Sequence, residues 1–128
     1  KSNTMGLDMY LNRIRKDWNE KETSLEMGYW RKANQIYAYF IKLDERAAEC
    51  HPIEVDIDQL KELRDICKKV LEFPDYAEEV LPTQSGFFFG STEIDEWYME
   101  NLKDTITIID YIELTYEERD KYVFQASW

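Results

Sequence analysis

Residues 81–93, with the sequence LPTQSGFFFGSTE, constrain the fold more than any other part of the chain. The stretch joins a polar turn, three phenylalanines between two glycines, and a Ser-Thr pair of the kind that begins helices. The phenylalanine run is too apolar for a solvated loop and too short for a stable helix. We therefore predict that Phe87, Phe88 and Phe89 form a short buried strand, which is followed by a helix.

The size and composition of the chain favour a single globular domain over residues 5–128. The chain has 128 residues, of which 44% are hydrophobic and 15% aromatic. A chain of this size buries about two thirds of its unfolded surface when it folds. Residues 1–4, which precede Met5, look like a vector remnant and are left out of the fold prediction.

Hydrophobic periodicity predicts a strand near each end of the chain. Leu7, Met9 and Leu11 alternate with polar residues, which indicates a strand over residues 7–14. A second alternating pattern indicates a closing strand over residues 122–128. The residues between 15 and 24 are mostly polar and charged, and we predict a loop there.

Helical spacing of apolar residues predicts three main helices between the two strands. Their predicted bounds are residues 26–43, 57–72 and 92–114, with Ser91 or Thr92 capping the third. Asp56 and Gln59 have capping-box spacing ahead of the second helix, and residues 53–55 form a short extended piece. The elements together predict an α+β fold. In it, three main helices pack on a small, mainly antiparallel sheet formed by the N-terminal strand, the C-terminal strand and the segment Phe87, Phe88, Phe89.

The charge distribution favours a protein partner over direct binding to nucleic acid. The net charge is −11, and residues 72–104 carry one basic residue, Lys103, against nine acids. A protein that binds phosphates needs a basic footprint, which this segment lacks. We predict that an acidic face on the third helix meets a basic partner surface, and that its residues are Glu93, Asp95, Glu96, Glu100 and Asp104.

A second set of residues has the chemistry of a small-ligand pocket. Polar donors and acceptors next to a flat apolar wall are typical of such pockets. The candidate residues are Trp30, Arg31, Asn34, Thr83, Gln84 and Ser85. The alternative interpretation is that Trp30 belongs to the core and Arg31 is a surface cation.

The sequence contains no motif that is typical of catalysis, of a cofactor or of a metal ion. Gly86 and Gly90 have no neighbouring lysine that could reach a phosphate. Cys50 and His51 are adjacent, so their side chains cannot generally point at each other as a nucleophile and its base. With Cys67 they supply at most three soft ligands, one fewer than a structural zinc site uses. We assign no catalytic residues, metal ligands or cofactor, and we expect free thiols and a binding protein rather than an enzyme.

Several motifs resemble a family of small uncharacterised proteins from phages, prophages and their bacterial hosts. These motifs are MGLDMYL, YWRKAN, CKKVL, LPTQSGFFFGSTE and FQASW, and they extend over nearly the whole chain. Some members of the family carry the label phosphoglycerate kinase, but the chain is far shorter than that two-domain enzyme and lacks a phosphate-binding loop. The resemblance implies a cytoplasmic protein made during infection, and small acidic phage proteins are often inhibitors of host enzymes.

Two hypotheses follow. The first is a counter-defence inhibitor, such as an anti-CRISPR protein, whose acidic face occupies a basic nucleic-acid-binding surface on a host protein, for example a defence nuclease. The alternative is a small-molecule binding protein or enzyme that binds or sequesters a nucleotide in the pocket near Trp30. A third possibility is a protein-interaction module with no role in defence. The oligomeric state stays open.

Overall fold

The chain folds as an α+β domain, as predicted. A computed structural model describes residues 6–85 and 91–128. This part of the chain contains four strands, β1 Asp8–Lys16, β2 Glu22–Arg31, β3 Ile53–Val55 and β4 Lys121–Ser127. It also contains four α-helices, α1 Asn34–Leu43, α2 Ile57–Glu72, α3 Ala77–Val80 and α4 Glu96–Thr115. Short 3₁₀ turns cover Glu45–Glu49 and Pro74–Tyr76.

The strands form one antiparallel sheet in the order β2-β1-β4-β3. The N-terminal and C-terminal strands are neighbours, with Met9 opposite Ala126 and Leu11 opposite Phe124. The predicted pairing of the two ends of the chain in one sheet is therefore confirmed. The short extended piece at Ile53–Val55 is an edge strand. The predicted strand at Phe87, Phe88 and Phe89 lies outside the described residues.

The predicted first helix is wrong over its first half, where the chain forms β2. A bulge explains the error. Leu11 pairs with Gly28 but Asn12 pairs with Glu26, so Met27 is an extra residue in β2. The extra residue breaks the two-residue alternation that identifies a strand, and the remaining apolar residues then fit helical spacing by accident. Only the second half of the prediction, over α1, is helical.

The predicted loop over residues 15–24 is confirmed for residues 17–21 and is wrong at both ends. β1 continues to Lys16 and β2 begins at Glu22, so the two strands form a hairpin. Its turn is closed by a hydrogen bond from the Asp17 backbone N–H to the Lys21 carbonyl at 2.9 Å. Most side chains at this end of the hairpin are exposed, and their polarity therefore hides the strand from a search for buried faces.

The helices α2 and α4 follow local sequence signals. Asp56 accepts from the Gln59 backbone N–H, and the Gln59 side chain accepts from the Asp56 backbone N–H, which completes the predicted capping box. The cap of α4 is Asp95, not Ser91 or Thr92 as predicted. The β-branched segment that follows Thr105 stays helical, because Thr105 and Ile109 are fully buried and packing outweighs local propensity.

The buried apolar residues form one core between the helices and one face of the sheet. Phe40 of α1 stacks on Phe124 of β4 with ring centroids 3.9 Å apart, and Trp30 of β2 packs against Phe40. Arg15 binds Asp120 through two hydrogen bonds of 2.6 and 2.8 Å and so fastens β1 to the start of β4.

The two cysteines are free thiols in the structure. Burial raises the pKa of the Cys67 thiol to about 12. Within the described residues, no helix is both long enough and apolar enough to cross a membrane.

Candidate functional site

Three of the five predicted acidic residues form a row along the outer side of α4. Glu96, Glu100 and Asp104 are exposed and four residues apart, so they lie one turn above another. The row, which we call the acidic row, extends over about 12 Å of helix. The two other acids precede the helix, where Asp95 accepts from the Tyr98 backbone N–H as the helix cap and Glu93 is exposed.

The acidic row carries uncompensated charge. None of the ion pairs among the described residues includes Glu96, Glu100 or Asp104. Two other acids of α4, Asp110 and Glu113, are both bound by Arg64 from α2. Like charges four residues apart destabilise a helix by about 0.2–0.5 kcal/mol per pair. This repulsion is offset in part, because Glu96 lies in the first turn, where the helix dipole favours an acid, and Lys103 lies three residues after Glu100.

The outer side of α4 continues beyond the acidic row with two exposed apolar residues that the sequence prediction missed. Tyr111 is 55% exposed and Leu114 is 81% exposed. They follow Glu100 and Asp104 at spacings that keep them on the same outward face. The sequence contained a signal for them, because both residues fall outside the helical spacing of the buried residues Leu102, Thr105, Ile109 and Ile112. α4 thus presents to solvent the acidic row and, further along, two apolar side chains beside the acids that Arg64 binds.

The predicted pocket residue Trp30 lies in the core and does not line a cleft. It is 3% exposed, and its indole N–H donates to Thr105 Oγ1 at 2.8 Å. The alternative interpretation of Trp30 as a core residue is the one that the structure supports.

The predicted pocket residue Asn34 joins two segments of the chain. It is 1% exposed, and its Nδ2 donates to the Ser91 carbonyl at 2.9 Å. Its Oδ1 accepts from the Gln84 backbone N–H, also at 2.9 Å. These bonds hold the junction of β2 and α1 against residues 83–85 and the segment before α4. Asn34 therefore positions other residues and is itself buried.

A cleft of about 280 Å³ lies at this junction. Of the predicted pocket residues, Arg31 and Thr83 line it, while Gln84 and Ser85 do not. Trp97 occupies the role expected for Trp30, since it lines the cleft and is 77% exposed. The cleft is also lined by residues that the sequence analysis did not assign to a pocket: Lys32, Gln35, Ser91, Glu93, Asp95, Tyr98 and Asn101.

The two basic residues of the cleft are held by their surroundings. Arg31 Nη1 lies 2.7 Å from Asp8 Oδ1, and hydrogen bonding to Asp8 raises the pKa of Arg31. Lys32 has a left-handed backbone with φ of 57°, and its N–H donates to the Leu7 carbonyl at 2.6 Å. A Cβ on Gly6 would lie 2.9 Å from Arg31 Nη2 and 3.3 Å from Lys32 Cε. Gly6 is therefore packed against both basic side chains.

The described residues contain no group of three or more His, Cys, Asp or Glu side chains that could hold a metal ion. The chemistry available at the two surfaces is charge, hydrogen bonding and aromatic contact. No known protein family, curated protein or solved structure matches the chain.

Proposed function

We propose that the chain is a non-enzymatic binding protein that docks the outer side of α4 on a basic surface of another protein. The observation that carries this proposal is the acidic row, Glu96, Glu100 and Asp104, which is exposed on a rigid helix and has no ion-pair partner among the described residues. A row of like charges that repel one another and have no ion-pair partner is explained if another protein supplies the opposite charge.

Two exposed apolar residues on the same helix face strengthen the proposal. A charged row steers a partner and sets orientation, but affinity usually comes from a few buried aromatic or aliphatic anchors. Tyr111 and Leu114 are such anchors, and they lie about two and about three turns from Asp104 on the same helix. The net charge of −11 extends the attractive field beyond the contact surface.

We further propose that the partner is a nucleic-acid-binding host protein and that the chain acts as a phage counter-defence inhibitor. One physical argument supports this specific form. Spaced carboxylates on a helix can compete with phosphates for a basic surface. The phage origin is an expectation from the sequence resemblance and is part of the proposal. A defence nuclease has the basic surface that this mechanism needs.

Charge reversal tests the proposal. The tagged chain is incubated with bacterial lysate, and the retained proteins are identified with and without added DNA duplex. We expect the chain to retain a basic nucleic-acid-binding protein that the duplex displaces. Retention should fall as NaCl rises from about 50 to about 300 mM, because salt screens the field. The variant Glu96→Lys/Glu100→Lys/Asp104→Lys should lose the protein.

The matched control reverses three other exposed acids that form no ion pair with the residues described in the structure, in the variant Glu49→Lys/Glu54→Lys/Glu78→Lys. It has the same net charge as the α4 variant and should keep the partner. Tyr111→Ser/Leu114→Ser should weaken retention at every salt concentration. Equal loss in both charge variants, or a partner whose binding ignores salt and duplex, would show that the acidic row is not the docking surface.

A further inference from the structure

The cleft beside α4 has walls of opposite charge that do not pair. Arg31 and Lys32 come from the end of β2, whereas Glu93 and Asp95 come from the segment that leads into α4. All four line the cleft, yet no ion pair among the described residues joins the two basic residues to the two acids; Arg31 binds Asp8 instead. The space between the basic and the acidic side chains is therefore available to a ligand.

The walls of the cleft are fixed before any ligand arrives. Gln35 is 2% exposed, and its Nε2 donates to the Tyr98 carbonyl at 3.2 Å. Asn34 Nδ2 donates in the same way to the Ser91 carbonyl. The Tyr98 hydroxyl donates to the Leu81 carbonyl at 2.6 Å. The first two bonds join the start of α1 to the α4 side, and the third joins α4 to Leu81. They fix the backbone of the cleft, so a ligand has to order only the exposed side chains that it contacts.

The strained backbone at Lys32 also points to a ligand. A residue other than glycine in the left-handed region persists only where its surroundings enforce it, and such residues concentrate at binding sites. Here the enforcing contacts are the hydrogen bond from Lys32 N–H to Leu7 and the packing on Gly6. Lys32 is exposed and in no ion pair among the described residues, so its ammonium is available to a ligand.

We infer that this cleft binds a small zwitterion of the amino-acid class. The carboxylate of the ligand lies at Lys32 and Arg31, its ammonium group lies at Glu93 and Asp95, and its side chain contacts the indole of Trp97. A cleft of about 280 Å³ is at the lower end of the size range of ligand pockets, which suits a small ligand.

The chemistry of the walls disfavours the nucleotide that the sequence suggested. A nucleotide brings two or more negative charges to a cleft that already contains two carboxylates, and like charges brought together in an interface disfavour binding. A zwitterion instead satisfies both walls at once. The site shares no residue with the acidic row, so this inference and the proposed function are tested by different variants.

Thermal unfolding with a set of probes tests the inference. The probes are the free L-amino acids, adenosine monophosphate and inorganic phosphate, each at millimolar concentration. A bound ligand at about ten times its Kd raises the Tm by roughly 5 °C. We expect such a shift with at least one free amino acid. Its amide, which lacks the carboxylate, and its N-acetyl derivative, which lacks the ammonium group, should give no shift.

Variants locate the site. Trp97→Ala, Glu93→Gln and Lys32→Asn should each reduce the shift, and the last keeps a residue type that tolerates the left-handed backbone. Trp18→Ala is the matched control, because Trp18 is 88% exposed and lies in the β1–β2 turn away from the cleft residues. The triple variant of the acidic row should keep the full shift.

Three outcomes would overturn the inference. The first is no shift with any free amino acid. The second is an equal shift with the amide or the N-acetyl derivative, which would mean that one charge alone is recognised. The third is a shift that only adenosine monophosphate or phosphate produces, which would identify an anion site instead.

Discussion

The burial of Trp30 in the core depends on one buried hydrogen bond of its indole N–H. Its indole N–H would be a poor fit for a core without an acceptor, because a buried donor that lacks a partner costs free energy. Thr105 of α4 supplies the acceptor at 2.8 Å and donates its own proton to the Asn101 carbonyl at 2.7 Å. This bond allows Trp30 of β2 to pack against α4 in the core. Trp97, not Trp30, therefore lines the cleft.

We predict that Thr105→Val destabilises the protein by about 1–3 kcal/mol. Valine keeps the shape of threonine but removes the acceptor, so the Trp30 N–H stays buried without a partner. Urea unfolding measures the change as a lower midpoint with an unchanged slope. The control is Thr107→Val, which makes the same change at an exposed position of the same helix, where the hydroxyl donates to the Lys103 carbonyl. Equal effects of the two substitutions would contradict the prediction.

At the scale of secondary-structure elements, the absence of a side chain at Gly28 determines how closely β2 and α4 approach each other. A Cβ built on Gly28 would lie 2.9 Å from Ile108 Cγ2 and 3.2 Å from Ile108 Cδ1. Real Cβ atoms do not approach side chains so closely, so the glycine allows the helix to rest directly on the strand. The helix must lie there for Trp30 to reach Thr105.

A double-mutant cycle tests this contact. Gly28→Ala should destabilise the protein by about 1–3 kcal/mol, as overpacking of a well-packed site usually does. In an Ile108→Ala background, where both clashing carbons are absent, the same Gly28→Ala change should cost much less. The free energies of unfolding of the wild type, the two single variants and the double variant give the coupling between the two sites. Additive effects would show that Gly28 is not the point of contact.

At the scale of the whole molecule, the excess of negative charge opposes the folded state. Folding concentrates a net charge of −11 in one domain, and the acidic row adds two like-charge pairs on one helix. The ion pairs found over residues 6–85 and 91–128, including those of Asp110 and Glu113 on α4, do not involve that row. The protein therefore gives up some stability to keep an exposed acidic surface.

Glu100→Gln should raise the Tm by about 2 °C at low salt, because it removes both like-charge pairs of the row, with Glu96 and with Asp104. The gain should shrink as NaCl is added, since salt screens the same repulsion. Scanning calorimetry at several salt concentrations measures it. Glu54→Gln makes the same change in net charge at an exposed position outside the row and should give a smaller gain. Equal gains would mean that total charge, not the row, is responsible.

The sequence by itself determined the fold class, the terminal strands, α2 and most of α4. Each of these depends on signals that lie within one segment. The alternation of Leu7, Met9 and Leu11 marks a strand, and the Asp56–Gln59 capping box marks a helix start. The acidic composition of residues 72–104 is likewise local and needs no partner from elsewhere in the chain.

Only the tertiary structure decided that residues 22–31 are a strand and which tryptophan borders the cleft. Pairing with β1 outweighs the helical spacing in β2, and the bulge at Met27 hides the alternation. Arg31 and Thr83 come to line one cleft because Asn34 bonds to residues 50 and 57 positions further along the chain. Periodicity reports which face of an element is apolar, but contacts between distant segments decide which side chains meet, and such contacts leave no pattern within a single segment.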